Sequence, residues 1–463
     1  MYSPPARAAV ALVLCLAACA HAPARRTAEP LADVPATWSD GTGESSARAT
    51  SLARWWLRFD DPLLASLVAR ALQANTSVEG ARAALRQARA LRDVSAAGLF
   101  PQVGGSASAQ RSKTGRNAAV NQFGVGMDAS WELDVFGASR SALDAGEATA
   151  RASEASLADM QVSIAAEVAL GYIALRGAQA RLAIARDNLA SQQDTLQITQ
   201  WRLQAGLVSS LEAEQARGAA EQTRSQLPLL LTNIEQSRHA LAVLTGQPPA
   251  ALSGMLQIAA PVPRADENLA LSIPADTLRQ RPDVRAAQWQ VMAAVARVSQ
   301  AQAQRLPDFK LGGSLGLSAV TLGALGGGGA LVSSLLASVS MPLLDGGAGR
   351  AQVQAQQAAL DQSGAAYRAA VLAALKDVED ALAALRGDRE RLAALQLAAQ
   401  AAGNASAMAR QRYGSGLVDF QTVLETQRTL LSTQDAVAVV NIDIGADHVR
   451  LYKALGGGWE PEA

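Results

Sequence analysis

The sequence predicts an α+β membrane protein made of two copies of one unit, each a hairpin of membrane strands followed by a hairpin of very long helices. Three observations carry this prediction. Anchors recur at one fixed spacing, strict apolar–polar alternation precedes proline-free helical runs in both halves, and the chain opens with an export address.

The repeat comes first, because self-similarity at a fixed period decides the architecture before local propensity does. Gly137-Ala138-Ser139-Arg140 recurs as Gly347-Ala348-Gly349-Arg350, and Arg202-Leu203-Gln204-Ala205-Gly206-Leu207 as Arg412-Tyr413-Gly414-Ser415-Gly416-Leu417. Leu244-Thr245-Gly246 recurs as Ala454-Leu455-Gly456, and all three pairs stand 210 residues apart. Phe100-Pro101-Gln102 and Leu306-Pro307-Asp308 open the two halves. Three anchors in one register point to duplication, with a first repeat over residues 51–263 and a second over 264–463.

Each half begins with period-two stretches. Val125, Met127, Ala129, Trp131, Leu133 and Val135 alternate with Gly126, Asp128, Ser130, Glu132 and Asp134; Phe309, Leu311, Gly313, Leu315 and Leu317 alternate with Lys310, Gly312, Ser314 and Gly316. Residues 102–110 and 333–341 alternate more weakly. Alternation over about ten residues marks a transmembrane β-strand with one side to lipid and the other to a lumen. A half-buried strand of a soluble sheet gives the same pattern, but the acidic residues of 125–135 keep to the polar face, and the export address favours the membrane.

Long helices follow, about 138–203 and 349–413, with returning helices about 210–245 and 420–455. At 1.5 Å per residue, each outgoing helix spans roughly 100 Å and needs coiled-coil-like partners. Leu375, Val378, Leu382, Leu385 and Leu392 keep the 3-4 spacing of a heptad seam. At the turns, Gly206 and Gly416 can take the left-handed conformation that stops a helix. Ser209 and Asp419 stand at the next N-cap positions, Ser209 forming a capping box with Glu212. Pro228 marks a kink. Shorter helices occupy about 62–97 and 276–304, and the Pro-rich stretch 247–263 links the halves.

Composition narrows the function. With 41 basic and 41 acidic residues the net charge is zero, which excludes a nucleic-acid partner, since phosphate binding needs a basic excess. Cys15 and Cys19 are the only cysteines, so the body of the protein has no disulfide framework. The three histidines are scattered, and no cofactor, metal or catalytic residue is expected. No hydrolase elbow or phosphate loop appears; Gly326-Gly327-Gly328-Gly329 lacks a following Lys-Ser/Thr and reads as an external loop.

Residues 1–18 read as a lipoprotein signal peptide. Arg7 supplies the positive end, Ala8 to Leu16 form an apolar run too short to span a bilayer, and Leu16-Ala17-Ala18-Cys19 closes it. Cys19 is the expected acylation site, an ordinary secretory signal being the alternative. Ala20 in place of Asp implies outer-membrane sorting in this class of lipoproteins. Residues 19–50 form a flexible tether.

Four membrane strands cannot close a barrel, and open sheet edges are not tolerated in lipid; the smallest common barrels have about 8 strands. The chain must therefore oligomerise, two copies supplying eight strands and three supplying twelve, with the long helices ringed as a hollow cylinder.

Several motifs together resemble the outer-membrane factors of TolC and OprM type, specifically the lipoprotein (NodT-like) branch serving RND efflux pumps. They are Trp55-Trp56 with Phe59, Asp61-Pro62 and Leu64; Phe100-Pro101-Gln102; Trp131-Glu132-Leu133-Asp134-Val135-Phe136-Gly137; Arg281-Pro282-Asp283-Val284-Arg285-Ala286-Ala287; and Leu451-Tyr452-Lys453-Ala454-Leu455-Gly456-Gly457-Gly458-Trp459. The resemblance covers nearly the whole chain after residue 50. It implies a TolC-like homotrimer with a twelve-stranded transmembrane β-barrel continued by a periplasmic α-helical barrel. It also implies a periplasmic adaptor and an inner-membrane RND transporter as partners, and a passive role for this chain as exit duct. A duct for type I protein secretion is the alternative, and a structural lipoprotein coiled coil is a third reading.

The resemblance further implies a periplasmic gate in the second half, at Arg412, Tyr413, Gln421 and Glu425. Arg412 and Glu425 are symmetric about the turn and can face one another across an antiparallel hairpin. Three copies of Glu425 would form an acidic ring. Relatives often carry Asp there and an apolar residue in place of Gln421. The bland reading is a surface ion pair worth under about 1 kcal/mol.

Overall fold

The computed structural model describes residues 52–265, 278 and 280–459. Cys19 and the tether lie outside them. A 3-10 turn (Trp55–Phe59) leads into α1 (Pro62–Ala74) and α2 (Thr76–Ala97). The first strand hairpin is β1 (Gln102–Ser112) and β2 (Val120–Leu133), and the first helix hairpin is α3 (Ala138–Gln204) and α4 (Ser210–Leu244). The second half repeats the order with α5 (Pro282–Ala303), β3 (Asp308–Ala319), β4 (Leu331–Ser340), α6 (Ala348–Gly414) and α7 (Phe420–Ala454).

The helices obey the repeat closely. Both α3 and α6 have 67 residues, and both α4 and α7 have 35. The strand hairpins differ: residues 320–330 connect β3 to β4, against 113–119 for β1 and β2, and the longer connection folds a 3-10 turn at Leu322–Gly326. The apolar run 62–97 is two helices. Asn75 ends α1 and its side-chain oxygen accepts from the Ser77 N–H at 2.8 Å, capping α2.

The four strands form one antiparallel sheet in the order β1-β2-β3-β4. Register separates the two faces. Val125 lies opposite Leu317, Met127 opposite Leu315, Trp131 opposite Leu311 and Leu133 opposite Phe309 on one face. On the other, Asp128 opposes Ser314 and Glu132 opposes Lys310, and Ser314 hydrogen-bonds Ser334 at 2.8 Å. The apolar face is uncovered within the protein, with Leu335 80% and Val125 53% exposed. Large aliphatic side chains left in water on a continuous face mark a surface that meets something other than water. Gly126 opposes Gly316 where β2 and β3 pair, and a Cβ on Gly316 would come within 2.8 Å of the Val125 carbonyl oxygen.

Compactness divides the chain across the repeats. Among the described residues, one unit comprises Ala83–Glu154 and Arg285–Ala369 and holds all four strands; the other comprises those of 52–82, 155–284 and 370–459. The second unit has the larger core. Trp55 is fully buried and stacks on Tyr452, with ring centroids 5.5 Å apart, while the Gly458 N–H donates to the Leu52 carbonyl at 3.1 Å. Tyr172 donates to the Asp61 carboxylate at 2.8 Å and accepts from Arg176 at 2.9 Å. Burial and that carboxylate outweigh the arginine and push the Tyr172 hydroxyl up to about 12. Arg281 grips Asp283 through two bonds (3.0 and 2.7 Å) and donates to the Ala454 carbonyl at 2.8 Å, tying the end of α7 to the start of α5.

Helix ends use glycines with positive φ: Gly206 (+72°) and Gly246 (+70°) in the first half, Gly416 (+72°) and Gly456 (+76°) in the second. Their surroundings differ. A Cβ on Gly206 would meet nothing within 4 Å, whereas one on Gly246 would overlap the Ala74 carbonyl oxygen. Gly206→Ala is therefore expected to cost only the left-handed conformation, about 1 kcal/mol, and Gly246→Ala about 2 kcal/mol or more because a clash adds to it. Thermal unfolding followed by helical circular dichroism checks this; equal shifts would refute the steric account.

Candidate functional site at the helix-hairpin turns

Both long hairpins reverse through the same hydrogen-bond pattern. In the first, the Gly206 N–H donates to the Leu203 carbonyl and Leu207 to Arg202, both at 2.9 Å; in the second, Gly416 donates to Tyr413 at 3.0 Å and Leu417 to Arg412 at 2.9 Å. This paired closure satisfies the last helical carbonyls and needs the left-handed glycine.

The turns diverge one step later. Asp419 caps α7, its carboxylate accepting from the Thr422 N–H at 2.9 Å and from the Thr422 hydroxyl. These bonds hold its carboxyl below the usual carboxylate range. Ser209 occupies the matching position before α4 but its side chain makes no cap bond. The expected Ser209–Glu212 capping box is therefore corrected. The Glu212 carboxylate is engaged elsewhere, accepting from the Tyr413 hydroxyl at 3.0 Å.

Tyr413 is the centre of the arrangement. Only 6% exposed, it packs with Ala216, Ala219, Ala409, Phe420 and Val423, its ring centroid 5.4 Å from that of Phe420. The Arg202 guanidinium lies 4.4 Å from the Tyr413 ring centroid and donates to the Tyr413 carbonyl at 2.9 Å. Burial and the Glu212 carboxylate push the Tyr413 hydroxyl above its usual pKa, keeping it a donor. One residue of the second hairpin is thus held by an arginine and a glutamate of the first. Neither partner emerges from the gate motif. Arg202 is the repeat equivalent of Arg412, which was the available signal; Glu212 has a satisfying local role on paper that conceals its long-range one.

The other expected gate residues stand outside this cluster. Arg412, Gln421 and Glu425 are exposed. The Gln421 side-chain amide donates to Glu425 at 3.0 Å, one helical turn away. Among the described residues no ion pair joins Arg412 to Glu425, so the facing pair drawn from turn symmetry does not form within one protomer. Leu207, Leu211 and Leu417 are 68%, 64% and 74% exposed around the two turns.

Above the turns, the contacts of α3 with the second hairpin change character. Near Ile173, which is fully buried, they are apolar and close: a Cβ on Gly177 would overlap Ile442. Between there and the turns they are polar. Arg181 forms two bonds with Asp435 (2.7 and 3.0 Å), Asn188 donates to Gln434 at 2.8 Å, Arg410 to Ser191 at 2.8 Å and Gln427 to Thr195 at 2.9 Å.

Comparison with known proteins completes the description. Residues 67–247 and 273–457 match the family described as outer membrane efflux protein. Nodulation protein T of Rhizobium leguminosarum bv. viciae is 31% identical, the alignment covering 98% of this chain and 93% of that protein. The toluene efflux pump outer membrane protein TtgI of Pseudomonas putida is 31% identical over 93% of this chain and 94% of its own. The solved structure of the outer-membrane channel OprN superposes with a TM-score of 0.85 at 34% identity, covering 93% of this chain and 99% of that one. The membrane-strand hairpins, the duplicated long helix hairpins and these matches agree: the chain belongs to the outer membrane efflux protein family and has the fold of its channels.

Proposed function

We propose that three copies of this chain close into a lipid-anchored outer-membrane duct of an RND-type tripartite pump, through which drugs or other small molecules pass passively to the exterior. The observation that carries this reading is the four-stranded sheet. One face is apolar and uncovered, β1 pairs only with β2, and β4 only with β3. Hydrocarbon leaves no water for the two free edges, and pairing β4 of one copy with β1 of the next satisfies both. Three copies give twelve strands, and the repeats 51–263 and 264–463 then act as near-equivalent segments of the wall.

The exposed leucines at the turns favour a periplasmic adaptor as the partner there, with the inner-membrane transporter beyond it supplying the energy. Cys19, outside the described residues, is the proposed acyl anchor; two or more chains on it would hold stably in the membrane. The efflux names of relatives favour small-molecule export over protein secretion.

The turns form the proposed gate, in two layers. Tyr413, Arg202 and Glu212 latch the second hairpin to the first. Arg412, Gln421 and Glu425 are the outward polar set, which three copies bring around the axis. The tip turns Gly206, Ser209, Gly416 and Asp419 hold both layers in place.

Two expectations test the reading. In planar bilayers, Tyr413→Phe raises the resting conductance of the trimer; a lost hydrogen bond to a charged group, about 1.5–3 kcal/mol, shifts a closed–open balance tenfold or more. Arg412→Ala and Glu425→Ala raise it as well, and unchanged conductance in all three variants would sink the gate. Cys19→Ser should abolish incorporation of labelled palmitate; retained label would place the acyl site elsewhere.

A further inference from the structure

Above the tip, helices α3, α4 and α7 line a half-open cavity of about 820 Å³ that the latch does not use. Its volume lies within the range of small-molecule sites, about 300–1,000 Å³. Two of its lining residues are polar and almost fully buried: Gln192 is 5% exposed and Thr223 3%. The Gln192 side-chain oxygen has no hydrogen-bond partner, an arrangement that costs stability unless something donates to it.

The rest of the lining is asymmetric in charge and polarity. Leu229, Leu230 and Leu431 supply an apolar wall. Arg181 and Asp435 also line the cavity, but neutralise one another through their paired bonds. Arg428 stands at the rim, exposed, and among the described residues no carboxylate pairs with it. The lining therefore carries one uncompensated positive charge, an apolar wall and a buried acceptor.

We infer that this cavity is a binding site for an anionic amphiphile of drug size. Its acidic group meets Arg428, its apolar body lies on Leu229, Leu230 and Leu431, and rotation of the buried Gln192 amide toward the cavity brings its oxygen to a donor on the molecule. A guanidinium favours oxyanions because it offers several donors in a fixed fork. The inference goes beyond the gate and the duct, neither of which requires an occupant here. Ala219 belongs both to the cavity lining and to the cluster around Tyr413, so an occupant would press on the packing of the latch.

The test uses the full-length channel in lipid nanodiscs and two fluorescent probes. One is 1-anilinonaphthalene-8-sulfonate, which carries an acidic group, aromatic rings and one N–H donor. The other is N-phenyl-1-naphthylamine, which lacks only the sulfonate. The expected result is saturable binding of the sulfonate above the background of empty nanodiscs. Arg428→Gln should weaken it about tenfold, the size of one lost charge-assisted contact, while leaving the neutral probe unchanged. Arg428 is exposed, and an unaltered melting temperature verifies that the variant folds. As a second variant, Ser432→Cys alkylated with N-ethylmaleimide should block both probes, since Ser432 lines the cavity. Sulfonate binding that is absent, is indifferent to Arg428→Gln, or survives alkylation would overturn the inference while leaving the channel reading intact.

Discussion

A sheet edge placed in hydrocarbon has nowhere to send its N–H and C=O groups, and most of this molecule follows from that constraint. Four strands are too few to curl onto themselves. Among the described residues no helix lies across their apolar face, and its leucines and valines stand open. The duplication solves half the problem internally. β2 belongs to the first half and β3 to the second, and their pairing joins the halves through a full ladder of hydrogen bonds. Gly126 and Gly316 allow this join to be close, since a side chain on Gly316 would strike the opposite backbone. The edges that remain, on β1 and β4, carry the same chemistry outward to another copy.

The helical hairpins show a second division of labour, along their length. Around Ile173 and Val440 the two hairpins meet through fully buried apolar side chains and glycine-mediated close approach, contacts that lose several kcal/mol when opened. Between this stretch and the turns they meet through Asn188 and Gln434, Thr195 and Gln427, and Arg181 and Asp435, before the apolar cluster around Tyr413 joins them again at the turns. Polar contacts of this sort exchange for water at much smaller net cost. The polar stretch between two apolar contacts is therefore the region of lower local stability along the hairpins.

Much of this architecture was legible in the sequence, and the reasons are physical. Alternation reports a sheet with two different faces, which is why Val125 to Leu133 and Phe309 to Leu317 could be assigned from period alone. Long proline-free runs with glycine at fixed positions report helices and their stops, so the 210-residue offset reappears in the bounds of α3 and α6. Contacts across the repeat were not legible. Glu212 lies three residues after a serine, a spacing that reads as a cap, and nothing local reveals that a tyrosine some two hundred residues away takes its carboxylate. The Arg412–Glu425 pairing failed for the opposite reason: symmetry about a turn places two side chains at matching heights without fixing their rotation around each helix axis. Gln421, on the same face as Glu425, was the nearer partner.

The stacking of Trp55 on Tyr452, with Gly458 bonded to Leu52, bears on how such a chain is made. Residues 52–55 are completed by residues 452–458, which are made nearly four hundred positions later. During export, Trp55 emerges early and has no pocket until α7 and the terminal glycines arrive. The long helices can form turn by turn as they appear, because their contacts within a hairpin are local. The core of the larger unit cannot, since it waits for residues 452–458. Loss of residues 452–458 would keep every strand and nearly all of every helix, yet remove the surface that closes over Trp55. Residues 52–55 and 452–458 thus share one core and gain or lose their packing together.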